Sequence, residues 1–232
     1  MVDCFVEENS NSSTPIEFIV QKQFPTWLTN QSTELQNWLR TTGFKGDGGT
    51  FRMVGDRDGK LQKIICVLTE DKNFWGAGAL PLNLPEGNYH FVSDANINHN
   101  EFAIGWGLGA YQFSKYKKPS RPASKLVLAK NYETNYINNI VESIYLVRDL
   151  INTPAENMGP QELSNATQKL AKQFNAEFSQ IVGDDLLENN FASIHTVGRA
   201  SDDAPRLLDL RWGNSKHPKV TLVGKGVCFD SG

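Results

Sequence analysis

Two residues near the end of the chain have the types and the spacing to do chemistry together. Lys225 and Asp230 lie five positions apart in the stretch KVTLVGKGVCFDSG, residues 219–232. The Asp230 carboxylate is a hard anionic oxygen donor that can bridge two divalent ions. Lys225 can ligate a metal only as the free amine. Its reference pKa is about 10.4, so at neutral pH the ion must displace a proton. Burial and a neighbouring dication both favour the uncharged amine. On a straight strand an odd spacing sends two side chains to opposite faces, so the chain must bend for these two to converge. Gly224 and Gly226 supply that freedom, having no Cβ to clash. The same residues also admit an ordinary reading, a solvated lysine after a strand and an aspartate capping a turn, and spacing alone does not choose between the two.

The element that must carry this pair is the run Lys219–Val223, whose apolar pattern suits a strand buried on both faces. In open α/β sheets ligands sit just beyond the carboxyl ends of such strands. Upstream, Tyr136 begins a long amphipathic helix with Ile137, Ile140, Val141, Ile144, Val147 and Ile151 on one stripe. Asn152-Thr153-Pro154 ends it, and Pro160 opens the next helix, with Leu163, Ala166, Leu170 and Phe174 on one side. A strand at Ala176–Val182, a short helix at Asp184–Glu188, a polar loop and a strand at Arg206–Trp212 follow. Alternating helices and strands predict a layered α/β sheet.

Before the long helix the pattern is less regular. Residues 1–13 read as a solvated, ragged start and Glu17–Val20 as a short strand. Glu34–Leu39 reads as a helix capped by Ser32 or Thr33 and stopped by Gly43. TFRMV and KLQKIICVL flank Gly55-Asp56-Arg57-Asp58-Gly59, which predicts a hairpin. Gly76–Gly87 reads as loop. Asn100–Tyr116 has helical spacing, with Gly105, Gly107 and Gly109 either weakening the helix or permitting close packing. Ala123–Ala129 reads as a buried strand. The expected architecture is α/β throughout: an N-terminal α/β domain over residues 1–132, a connecting helix over 133–152, and over 153–232 the first part of a mixed-sheet domain.

Composition bounds the function class. At 39% hydrophobic and 21% charged the chain can fill a core, and a net charge of −3 gives no electrostatic case for nucleic acid. The cluster Lys115, Lys117, Lys118 and Arg121 reads as a solvated helix end and linker. Cys4, Cys66 and Cys228 are sparse and odd in number, which argues against a disulfide framework and for a reducing compartment. The acidic, polar start lacks the form of a secretory signal, and no apolar run is long enough for a span. Together these predict a soluble cytoplasmic protein. His90, His99, His195 and His217 show no metal-binding spacing and read as surface or packing residues. Asp184/Asp185 read as a helix first turn and Asp202/Asp203 as loop.

Three ordered stretches carry a resemblance. VGKGVCFDSG, residues 223–232, resembles the metal-binding signature VGKGVTFDSGG of the leucyl aminopeptidase (cytosol aminopeptidase) family, with Cys228 in place of the usual threonine. RDLINTPAENMGP, residues 148–160, resembles the family's RDLxNTPxNxxxP stretch. VGRASDDAPRLLDLRW, residues 197–212, resembles its VGxGSxxPPRL block. The resemblance implies a two-metal exopeptidase that releases N-terminal amino acids, leucine preferentially, from peptides with a free amino terminus. It makes Lys225 a ligand of one ion and Asp230 a carboxylate shared by both, with manganese or zinc as the metal. In that family the two ions hold the free α-amine and the scissile carbonyl and activate a bridging water. The remaining ligands lie in motifs resembling MKxDM and NTDAEGR, and substrate is acted on by a further lysine and by an arginine. None of these motifs occurs in the 232 residues, so the expected catalytic set within this chain is empty and the chain by itself is expected to be an inactive fragment. The resemblance further implies a homo-oligomer, hexameric in the family, in which Arg199 and Arg206 serve either a surface salt bridge or an interface. The alternative reading is a non-catalytic binding or assembly module, a scaffold or a DNA-contacting N-terminal domain.

Overall fold

The computed structural model describes residues 1–8, 12–70, 74–92 and 97–228, and the chain divides into two compact units, Met1–Val147 and Arg148–Gly232. The first unit is built on a six-stranded mixed sheet. Its strands are β1 (Phe5–Glu7), β2 (Thr14–Val20), β3 (Phe51–Gly55), β4 (Leu61–Leu68), β5 (Asn88–Phe91) and β6 (Lys125–Leu128), in the order β1-β6-β5-β2-β4-β3. All neighbours pair parallel except β3 and β4, the hairpin expected from Gly55–Gly59, which pairs Phe51 with Cys66 and Met53 with Ile64. Helices α1 (Phe24–Thr29), α2 (Thr33–Thr41), α3 (Leu80–Asn83) and α4 (His99–Gly109) connect the strands. The Ser32 hydroxyl accepts from the Leu35 amide to cap α2, and Gly43 follows the helix at φ 67°, as the expected cap and stop require.

The core lies where α4 crosses the sheet. Phe18 meets the rings of Phe91 and Phe102 edge-on at 5.1 and 5.0 Å, and Trp106 is fully buried beside Phe91. Each such ring, removed from water, stabilises the fold by roughly 1.5–3 kcal/mol. The glycines of α4 are there for approach. A Cβ on Gly105 would stand 2.2 Å from the Phe74 carbonyl oxygen, and one on Gly109 would stand 1.8 Å from that of Gly78. Close packing is thus the reading that holds.

Several expectations give way. Residues 1–13 are not uniformly ragged: Phe5–Glu7 pairs parallel with Leu126–Leu128, a long-range partner that no local pattern announces. The glycine-rich stretch after residue 74 holds a 3-10 turn, Phe74–Ala77, and α3, with Leu80 and Leu84 buried. Helix α4 stops at Gly109 rather than Tyr116. Beyond it Tyr111 packs on Tyr145 with ring centroids 5.0 Å apart, and Gln112 donates to the Arg121 carbonyl. Arg121 is not merely solvated, since its guanidinium donates to the Leu84 carbonyl, whereas Lys115, Lys117 and Lys118 are exposed.

The long helix α5 (Thr134–Asn152) forms as expected and ends at Asn152 before Pro154. Ile137 and Val141 are fully buried, and Ile140 and Ile144 pack against the same core. In the second unit, α6 (Pro160–Phe174) is followed by β7 (Glu177–Val182), α7 (Asp185–Glu188), α8 (Ala192–Gly198) and β8 (Arg206–Arg211). Strands β7 and β8 pair antiparallel, with Phe178 opposite Leu210 and Val182 opposite Arg206. Helix α8 occupies what reads in sequence as a polar loop. The largest departure is Lys219–Val223. It is neither strand nor buried: Val220, Leu222 and Val223 are 80%, 92% and 92% exposed. The apolar pattern is a demand for neighbours on both faces, and the second unit offers Lys219–Val223 none. No helix among the described residues is long and apolar enough to cross a membrane.

Candidate functional site

The segment that carries Lys225 lies in the second unit against a framework of α6, α8 and β8. Pro160 takes the first helical position of α6, where its missing amide costs nothing, and the Glu162 carboxylate accepts the Gly159 amide at 3.1 Å. Asp203, far away in sequence, accepts the next free amide, that of Gln161, at 2.7 Å. The Ser164 hydroxyl, buried on the inner side of α6, donates to Gln180 Oε1 of β7 at 2.8 Å. At the end of α8, a Cβ on Gly198 would meet Pro205 at 2.2 Å, so only glycine lets this helix rest on the loop that leads into β8.

After β8 the chain turns at Gly213–His217, where Gly213 adopts φ 99° and the Asn214 side chain accepts the Lys216 amide. Residues 218–228 then run without regular structure. Gly224–Cys228 roof a cavity of about 430 Å³ whose other walls include Pro160, Leu163, Ile194, Val197, Leu207 and Leu208. A Cβ on Gly226 would come within 4.0 Å of Leu163 and 3.6 Å of the Cys228 sulfur, so the segment lies close on α6. Lys225 borders this cavity and is exposed. Asp230 falls outside the described residues. Cys228 is half-buried, and burial first, then the charge of Asp203, pushes its thiol up from the ordinary range.

Among the described residues no three His, Cys, Asp or Glu side chains gather into a group that could hold a metal ion. The donor set on view is therefore one exposed amine, which does not amount to a metal site. Asp184 is engaged with His195 Nε2 at 3.0 Å, and Asp203 with Arg206 at 2.9 Å. His90 and His99 behave as packing residues: His90 Nδ1 lies 2.9 Å from the Ser13 hydroxyl and His99 Nδ1 3.1 Å from that of Tyr132, and burial lowers both imidazoles from their usual range. What sequence reasoning missed is the polar knot around Arg206. Its one visible signal is the Asp203-Ala-Pro-Arg206 spacing, which sets the two charges one short turn apart.

The comparisons with known proteins follow the same order along the chain. The model of the M17 aminopeptidase N-terminal domain matches residues 14–129, and that of the cytosol aminopeptidase family catalytic domain matches residues 145–232. The chain belongs to the M17 cytosol aminopeptidase family. A probable cytosol aminopeptidase of Aeropyrum pernix is 32% identical over 150 residues, which covers 63% of this chain and 30% of that protein. Peptidase B of Yersinia pseudotuberculosis is 42% identical over 139 residues, covering 55% of this chain and 32% of the relative. The solved cytosol aminopeptidase from Coxiella burnetii superposes with a TM-score of 0.90 at 38% identity, over 98% of this chain and 50% of that one. The bottromycin maturation enzyme BotP, solved in complex with Mn, shares the fold at a TM-score of 0.67 and 18% identity. The chain thus spans about half the length of the solved cytosol aminopeptidase and about a third of the curated relatives it matches.

Proposed function

We propose that this chain is part of a metal-dependent aminopeptidase that releases N-terminal residues, leucine by preference, from peptides with a free amino terminus. The observation that carries the reading is the match of the family's catalytic domain over residues 145–232, which takes in the Lys225 segment and follows the match of its N-terminal domain over residues 14–129. On this reading residues 1–132 are an accessory domain, 133–152 a connecting helix and 153–232 the first part of the catalytic domain. Lys225 and Asp230 are ligands toward two divalent ions, manganese or zinc. The 232 residues alone lack the other ligand motifs, so we expect them to be inactive in isolation. Assembly as a homo-oligomer, a hexamer by family resemblance, and a cytosolic location belong to the same proposal.

What this chain's own residues contribute is framing. Gly224 and Gly226 leave the backbone free to turn Lys225 toward a ligand, and α6 with β8 supplies the bed on which that turn rests. The test is hydrolysis of leucyl-p-nitroanilide, with manganese or zinc, by the 232-residue chain and by the polypeptide translated through the codons that follow Gly232. The longer polypeptide should cleave the free substrate and leave the N-acetylated one intact, with the shorter chain silent. Equal cleavage of the blocked substrate, or none by the longer polypeptide, would remove the reading.

A further inference from the structure

The block Val197–Trp212 resembles a family stretch, yet no ligand or catalytic role accounts for it. The structure gives its centre a definite task. The Arg206 side chain is only 7% exposed, an unusual place for a permanent charge. Its guanidinium is spent on four partners. Nη2 meets Asp203 Oδ1 at 2.9 Å, Nη1 donates to Gln161 Oε1 at 2.9 Å and to Gln180 Oε1 at 3.5 Å, and Nε donates to the Ala204 carbonyl at 3.3 Å. The other oxygen of Asp203 holds the Gln161 amide in the first turn of α6. One planar cation therefore ties together the loop before β8, the start of α6 and β7.

Arg206 also borders the cavity that Gly224–Cys228 covers, as do Pro160 and Leu163 from the same first turns of α6. The parts joined by Arg206 are thus the walls against which the Lys225 segment lies. From this arrangement we propose that Arg206, held by Asp203, is a positioning residue for the Lys225 segment: it fixes the bed on which residues 224–228 lie. The inference rests on the aminopeptidase reading for its consequence in catalysis, but the positioning itself is a property of this chain. An apolar residue of the same bulk would fill the space without orienting three separate elements, because only a fork of N–H donors reaches all of these acceptors at fixed angles.

Cys228 provides the readout. It is half-buried at the end of the segment, whereas Cys4 and Cys66 are buried in the other unit, so labelling of the native 232-residue chain by an uncharged maleimide follows residue 228. Arg206→Ala should raise that labelling rate at least tenfold while hydrogen exchange shows the β7–β8 ladder still protected. Arg206→Lys keeps the charge without the fork and should give an intermediate rate. An unchanged rate with the ladder intact would overturn the proposal. Should Arg206→Ala melt the ladder, Gln161→Ala decides in its place, since it removes one exposed acceptor and leaves the Asp203 bond to the backbone amide. A severalfold rise supports the positioning role and no rise refutes it. In the longer polypeptide, Arg206→Ala should weaken manganese binding about tenfold. If the unmutated longer polypeptide binds no manganese, the aminopeptidase reading fails while the labelling result stands by itself. If it binds and Arg206→Ala binds equally well, positioning is refuted and the aminopeptidase reading survives.

Discussion

Replacing Gly109 with alanine should destabilise the first unit, against the rule that alanine is the better helix former. The added Cβ would stand 1.8 Å from the Gly78 carbonyl oxygen, 2.5 Å from its carbon and 2.7 Å from its Cα. Ordinary contact begins near 3.4 Å, so α4 and the turn at Gly78 must part by about 1.6 Å at this point. All three atoms are backbone, and no rotamer change relieves the clash. Helix propensity favours alanine by about 1 kcal/mol, whereas forcing extra volume into a packed core costs about 1–3 kcal/mol and occasionally more. A backbone displacement belongs at the upper end, which leaves a net loss of about 2 kcal/mol. Gly105→Ala should behave alike, its Cβ lying 2.2 Å from the Phe74 carbonyl oxygen. Gly107→Ala is the control in the same helix. Its Cβ would meet the side-chain ends of Val141 at 2.7 Å and Phe5 at 2.9 Å, which can yield, so the net change should stay within about 1 kcal/mol. Urea unfolding followed by hydrogen exchange in β4 reads the first unit alone. With a slope of about 2 kcal/mol per molar urea, Gly109→Ala should lower the midpoint by about 1 M. A midpoint equal to or above that of the unmutated chain, or above that of Gly107→Ala, would refute the close-approach argument.

Acidification should also weaken the first unit. Burial lowers His90 and His99 below the ordinary imidazole value of about 6.5, so the unfolded chain takes up protons first as pH falls. The stability present above pH 6.5 should therefore decline as pH drops below it, and His99→Gln should flatten that decline in urea midpoints measured between pH 7.5 and 5; an unaltered slope would contradict the assignment. Native-state alkylation should modify one thiol per chain, at Cys228, because burial keeps Cys4 and Cys66 enclosed and pushes both up to about 12. Mass spectrometry showing two or three adducts on folded protein would oppose this. Asp203→Ala should cost the second unit about 1–2 kcal/mol, since it uncaps the Gln161 amide and leaves Arg206 short of a partner; a loss below about 0.5 kcal/mol in exchange of the β7–β8 ladder would show the cap to be idle.

Local signals account for much of the fold. The β3–β4 hairpin, the Ser32 cap, the stop at Asn152 and the start at Pro160 are each written in a few neighbouring residues, and each forms where the sequence places it. What was illegible is long-range. Nothing within Phe5–Glu7 names β6 as its partner, and nothing in Asp203 shows that it caps a helix 42 residues upstream. Helix α8 escaped notice because Ala192–Gly198 has neither a capping side chain nor a strong apolar stripe. The reverse error occurs at Val220–Val223, where the apolar pattern was legible but burial needs neighbours that the unit does not supply. For the candidate site, the motif was readable as chemistry, while the bed beneath it depends on Arg206 meeting Gln161 and Gln180, contacts that no spacing rule encodes.

The central claim is that Lys225 and Asp230 act as metal ligands, and metal stoichiometry tests it most directly. The polypeptide translated through the codons after Gly232, loaded with manganese or zinc and freed of excess ion, should carry two ions per chain by elemental analysis. Lys225→Ala should retain one, and Asp230→Asn should hold both weakly enough to lose them on gel filtration. Two ions retained at undiminished affinity in both variants would contradict the account.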